Sequence, residues 1–233
     1  YGIDEYSKKS DALKIQYHDG FKIMQLSDLH FSNYDNLDED FNYLEYLIKD
    51  ANPDLFVITG DVFNFASLSR VRKVFNFFNS FDIPWTVTFG NHDEQVYGAY
   101  NYPSIYASDL SNCLLNYHED DVLTGTGNSI VNLYDGDNIK FQLYVVDSNS
   151  YTYDPIGYDY VHNDQIEWYK NAVEYANKTI NPSFQLGDET LIKSLIFQHI
   201  PLQEYKDAWE ATKTGEATYD GEHREGVAPS KYN

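Results

Sequence analysis

The 233-residue sequence holds a single cysteine, Cys113, which excludes an internal disulfide and any cluster of thiolates. Arginine is nearly as scarce, with only Arg70, Arg72 and Arg224. Against 37 acidic residues the 16 basic ones leave a formal net charge of −21. A field of that sign repels nucleic acid and anionic membrane surfaces, so neither is expected as a partner. It would repel phosphorylated substrates too, unless a bound cation inverts the local potential. No apolar run approaches the roughly 18 residues of a membrane span, and no basic-then-apolar signal peptide is visible. The chain opens on Tyr1 rather than Met, so an upstream segment is expected, and an export signal there leaves secretion or the cell envelope open. Repeats and low-complexity tracts are absent, and nothing in the sequence sets an oligomeric state. What is present is apolar material, 42% of the residues with 17% aromatics, enough for the packed core of one large domain.

The stretch from Met24 to Glu94 reads three times as a buried run followed at once by a polar cluster. Residues 23–27 lead into Asp28-Leu29-His30, residues 55–59 into Gly60-Asp61, and residues 85–89 into Gly90-Asn91-His92-Asp93. Between the runs lie two amphipathic segments of helical length. One follows a cap at Asn36 with Leu37, Phe41, Leu44, Ile48 and Ala51 on one face. The other, about 67–79, carries Leu68, Val71, Val74, Phe75 and Phe78 on one stripe. Short apolar runs alternating with helices predict parallel strands joined by crossovers. Ligands of such sheets bind beyond the carboxyl ends of the strands, so the polar clusters are expected to converge on one edge.

Elsewhere, residues 1–12 read as a polar lead-in, with a single domain over 13–233. Asp19-Gly20 between residues 13–17 and 21–26 predicts a hairpin, and Asp135-Gly136-Asp137-Asn138 a second, between 128–134 and 139–147. His18 reads as a turn residue and Cys113 as a small buried one. Pro103 suits the first turn of a short helix. The Tyr- and Asp-rich loop 148–162 is too long for mere connection and reads as a binding rim. A helix then starts at Asn163 or Asp164, with Ile166, Tyr169, Val173 and Ala176 inward, and a strand over 191–198 ends in His199. Residues 211–233 are polar and without period. Two sheets packed face to face with helices outside would absorb this order.

Asp28 and His30, two apart at a strand end, can lean toward one point. Carboxylate oxygen with imidazole nitrogen suits manganese, iron or zinc better than calcium. Asp61 can bring a second carboxylate, and one Asp can bridge two cations. Asn91 offers a neutral carbonyl oxygen, and His199 repeats the pattern on a later strand. Each element alone has a structural explanation, a helix cap, a turn or a hydrogen-bonded histidine; their coincidence at four strand ends points to metal.

Taken together, Asp28-x-His30, Gly60-Asp61, Gly90-Asn91-His92-Asp93 and His199 resemble the calcineurin-like metallophosphoesterase superfamily, over about residues 21 to 205. The looser texture, in residues 21–23, 60–64 and 164–168, is similar to its purple-acid-phosphatase-like branch. The resemblance implies a four-layer α/β/β/α sandwich and a metal-dependent phosphoester hydrolase, most simply a phosphomonoesterase, with a hydroxide activated by a dinuclear centre. It implies two divalent or trivalent ions, with Asp28 and His30 on the first, Asp61 bridging, and Asn91 and His199 on the second. His92 would stand beside the scissile ester as the acid, oriented by Asp93. The family's last motif, Gly-His-x-His, is absent. Gly221-Glu222-His223 is not that motif, and His223 reads as loop or rim. The C-terminal end of the domain is therefore expected to be incomplete. Two alternatives stay open: a non-catalytic metal-binding or interaction module on the same fold, and a phosphodiesterase or nuclease.

Overall fold

The computed structural model describes residues 2–97, 101–117, 123–153 and 156–215. Helix α1 (Ile3–Leu13) precedes strand β1 (Ile23–Leu26), helix α2 (Leu37–Ala51), strand β2 (Leu55–Thr59), the short strand β3 (Ala66–Ser67) and helix α3 (Leu68–Asn79). Strands β4 (Trp85–Thr88) and β5 (Val96–Tyr97) lead to helix α4 (Tyr102–Ser108) and the hairpin β6 (Ser129–Asp135) and β7 (Asn138–Val145). A second hairpin, β8 (Tyr151–Tyr153) and β9 (Ile156–Tyr158), is followed by α5 (Asn163–Ile180), β10 (Lys193–Phe197) and α6 (Gln203–Thr214).

Two three-stranded sheets form the centre, in the orders β1-β2-β4 and β10-β7-β6. The first is parallel throughout, as the alternation of runs and helices predicts; in the second β10 runs parallel to β7 and β6 antiparallel. Because strand side chains alternate, each sheet feeds two cores. Leu55 and Val57 meet Val131, Leu133, Leu143 and Val145 between the sheets. Phe56 and Ile58 face the other way, onto Leu44 and Ile48 of α2 and Val71, Val74, Phe75 and Phe78 of α3. The outer face of the second sheet, through Ile130, Tyr144 and Val146, packs on Tyr6 of α1 and Trp168 and Ala172 of α5. The layers are α/β/β/α, as expected. Ser67 caps α3 by accepting the Arg70 N–H at 3.3 Å, and Asn52, in the left-handed region at φ 45°, closes α2 just before Pro53.

Three expectations are corrected. The stretch read as a loose lead-in over 1–12 is helical from Ile3: α1 lies on β6, with the Ser10 hydroxyl bonded to Ile130 O and Asn132 N, and Asp11 accepting from Asn132 and Tyr134. The turn at Asp19-Gly20 exists, but its arms separate. Residues 15–17 pair with Tyr134 of the second sheet while β1 joins the first, because Ile15, Tyr17, Phe21 and Ile23 all fill the space between the sheets. The buried face of α5 is Gln165, Trp168, Ala172 and Ala176, and Ile166 is exposed. Buried Gln165 sets that phase: its amide donates to Asp147 O at 2.6 Å and Asn128 Oδ1 at 3.0 Å. Helix α6 has no buried residue, so no apolar stripe marks it in the sequence.

Candidate metal centre

The loops after β1 and β2 are laced together by backbone bonds, Asp28 N–H to Gly60 O at 3.1 Å, His30 N–H to Asp61 O at 2.8 Å and Phe31 N–H to Val62 O at 2.8 Å. Asp28, His30 and Asp61 all sit in the left-handed region, with φ of 55°, 50° and 50°. Such a conformation costs a non-glycine residue about 1–3 kcal/mol and persists where surrounding structure imposes it. Glycine is required where the strand ends close up. A Cβ on Gly90 would overlap the Asp61 carboxylate and stand 2.7 Å from the His199 ring; one on Gly60, at φ +87°, would stand 2.7 Å from the same ring.

These loops wall a cleft of about 330 Å³ lined by Asp28, His30, Asp61, Asn91, His92 and His199, with Tyr158, Ile200 and Pro201. Donor atoms of Asp28, His30 and Asp61 lie within 4.8 Å of one another. His30 Nε2 is 3.7 Å from Asp28 Oδ1 and 3.6 Å from Asp61 Oδ2, too far to bond and a spacing that a cation between them would close. The other ring nitrogen of His30, Nδ1, is buried with no hydrogen-bond partner among the described residues. His199 reaches the same carboxylate oxygen, with Nε2 3.4 Å from Asp61 Oδ2. Its Nδ1 donates to Thr59 O at 2.9 Å; a carbonyl can only accept, so the hydrogen is on Nδ1 and Nε2 is the atom offered to a metal. Asp61 Oδ1 is occupied by the His92 N–H at 2.9 Å, which leaves Oδ2 to be shared. The donor set is two carboxylates, an amide and two imidazoles around one space, chemistry that suits first-row cations, and among the described residues Asp28, His30 and Asp61 stand close enough to share one.

Electrostatics tie Asp61 to His199. Burial alone would raise the Asp61 carboxyl, yet the bonds from His199 and the His92 N–H hold it below the ordinary range. Burial alone would lower His199, but Asp61 and the Thr59 carbonyl push it up to about 9. Without metal the pair is carboxylate and imidazolium.

Asp93 does not orient His92. It is fully buried, with Oδ1 accepting the Phe63 N–H at 2.9 Å and Oδ2 the Gly90 N–H at 2.7 Å, and so ties the second loop to the third. Burial, with the Asp61 charge adding to it, pushes its carboxyl up to about 7. The partner of His92 is Gln95, whose Oε1 lies 3.0 Å from Nδ1. Gln95 and Tyr151 are the site residues that sequence reasoning missed. Tyr151 Oη accepts from Asn91 Nδ2 at 2.6 Å, and only its place in the loop read as a rim hinted at it. His223 lies outside the described residues.

The model of the family described as calcineurin-like phosphoesterase matches residues 21–219. The chain is 27% identical over 247 residues to a protein of Arabidopsis thaliana named "Probable inactive purple acid phosphatase 29", covering 91% of this chain and 61% of that one. It is 28% identical over 246 residues to "Phosphatase DCR2" of Saccharomyces cerevisiae, covering 91% of this chain and 40% of the yeast protein. It thus spans about three-fifths and two-fifths of the length of these relatives. A crystal structure of a dimetal phosphatase from Danio rerio resembles it with a TM-score of 0.46 and 14% identity, over 79% of this chain and 71% of that one.

Proposed function

This chain belongs to the calcineurin-like phosphoesterase family, and from that premise we propose that it is a phosphomonoesterase working at a dinuclear metal centre. The observation that supports this reading is the meeting of four strand ends at one cleft, where Asp28, His30, Asp61, Asn91 and His199 surround a common space. Asp28 and His30 would hold the first ion, Asp61 would be shared between the two, and Asn91 and His199 would hold the second; manganese, iron and zinc suit the set. When bound, the ions supply Lewis acidity toward the phosphoryl oxygens and a water acid enough to attack at neutral pH.

The chain's own residues do the rest. Among the described residues no Lys or Arg lines the cleft, and the Arg70 guanidinium is engaged on Asn33 and Asp35 carbonyls and that of Arg72 on Tyr102. Positive charge for an anionic ester would therefore come chiefly from the bound metals. His92, paired at Nδ1 with Gln95, lines the cleft and would give a proton from its other ring nitrogen to the departing oxygen as the ester bond breaks. The small cleft and the charge of −21 favour a compact monoester over a polymeric diester.

The name of the Arabidopsis relative favours a second reading, a metal-binding module without turnover. Phosphate release from monoesters, diesters and phosphopeptides, measured on metal-free protein reloaded with manganese, zinc or iron, separates the two. Metal-dependent release, fastest from monoesters, is expected. Two bound ions per chain with no release from any ester would leave the non-catalytic module, and faster release from diesters would overturn the monoester preference.

A further inference from the structure

We infer that Tyr151 is a positioning residue that pairs with the Asn91 NH₂ group and so holds the amide with its oxygen toward the metals, an inference that rests on Asn91 being a ligand as proposed above. The two ends of an Asn side chain are nearly the same shape and opposite in chemistry: the oxygen can bind a cation and the NH₂ group cannot. Asn91 is buried, so its NH₂ group needs a partner inside the protein. Tyr151 Oη is that partner at 2.6 Å, which leaves Oδ1 for the cleft.

Tyr151 is 40% exposed, and its ring is held by its neighbour in the pair. Tyr151 stands directly opposite Tyr158 across the β8–β9 pair, and the two rings stack at 5.7 Å and 24°. At the base of that hairpin the Ser150 hydroxyl donates to Asn91 O at 3.3 Å, the Asp159 N–H to Ser150 O at 3.1 Å, and Asn149 Nδ2 to Tyr160 O at 2.7 Å. Tyr158 itself lines the cleft. One aromatic pair therefore joins the wall that meets the substrate to the side chain that meets the second ion.

The test is calorimetric titration of the metal-free protein with Mn²⁺, with bound manganese counted independently, for wild type, Tyr151→Phe, Asn91→Asp and the double variant. Tyr151→Phe keeps the ring and its stacking and removes only the hydroxyl. The expected result is two ions in wild type and, in Tyr151→Phe, one of them bound roughly 10–100-fold more weakly, with the other unchanged. In the Asn91→Asp background, where both ends of the side chain are oxygens, the same substitution should cause little further loss. Unchanged titration in Tyr151→Phe, equal weakening of both ions, or an equal loss in the Asn91→Asp background would each overturn the positioning role while leaving the metal centre standing. A wild-type protein that takes up neither manganese nor, in parallel titrations, zinc or iron would overturn the proposed function and this inference with it.

Discussion

His199 Nε2 lies 3.4 Å from Asp61 Oδ2, the oxygen that the His92 N–H leaves free. In the metal-free protein a proton on His199 thus stands where a cation would otherwise balance Asp61. With its folded value at about 9 against an ordinary 6.5, His199 is charged at pH 7 and must lose that proton to become a ligand. Metal uptake at pH 7 is expected to release about one proton from this residue, seen as a heat that varies with the ionisation enthalpy of the buffer, and to tighten as pH rises toward 9. The metal-free protein should respond in the opposite sense. A raised histidine adds stability that is complete below about 6.5 and is lost as pH climbs through about 9. Buffer-independent binding heats would refute this account.

Asp61 and His92 should fail differently. Asp61→Ala removes the shared oxygen and is expected to lower metal content. His92→Ala should keep both ions but slow esters of poor leaving groups by roughly 10²–10⁴-fold, with a smaller loss for nitrophenyl esters. Gln95→Leu, which removes only the acceptor at Nδ1, should show the same leaving-group pattern in weaker form. Equal losses across leaving groups would mean that His92 is not the acid.

Gly90→Ala tests the closeness of the strand ends. The added methyl would meet the Asp61 carboxylate and the His199 ring. A loss of about 1–3 kcal/mol of stability is expected, with weakened metal binding because both neighbours it displaces are proposed ligands. Normal metal affinity in a folded Gly90→Ala protein would show that the loops separate freely.

Tyr6→Ala tests the outer helix layer. Tyr6 is 4% exposed and packs edge-on against Trp168 at 5.2 Å. Its truncation should cost about 3–5 kcal/mol, as for other large buried aromatics, measured as a shift in denaturant midpoint. A change within about 0.5 kcal/mol, typical of surface positions, would mean that α1 contributes no packing to the domain.

What the sequence by itself determined is what depends on short spacings. Continuous apolar runs marked β1, β2 and β4, the Asp135–Asn138 turn marked the β6–β7 hairpin, helical spacing marked α2 and α3, and the polar groups at the ends of parallel strands had one edge available to them. Asp28, His30, Asp61, Asn91 and His92 could be brought together on that ground, His199 joined them through the resemblance to the family, and the cleft is lined by all six. The tertiary structure decided whatever depends on which way a side chain turns once its loop is packed. Asp93 and Gln95 are both within three residues of His92. The backbone N–H groups of Phe63 and Gly90 draw Asp93 inward, and only then is Gln95 the partner of the ring. The face of α5 was set by Gln165 reaching distant polar groups, α1 by hydroxyl and carboxylate contacts with β6 rather than by an apolar stripe, and the split of the first turn by the space between the sheets. Tyr151 reaches Asn91 from 60 residues away in the chain. Spacing along a chain encodes local periodicity, whereas a hydrogen bond between distant segments exists only after the sheets have packed.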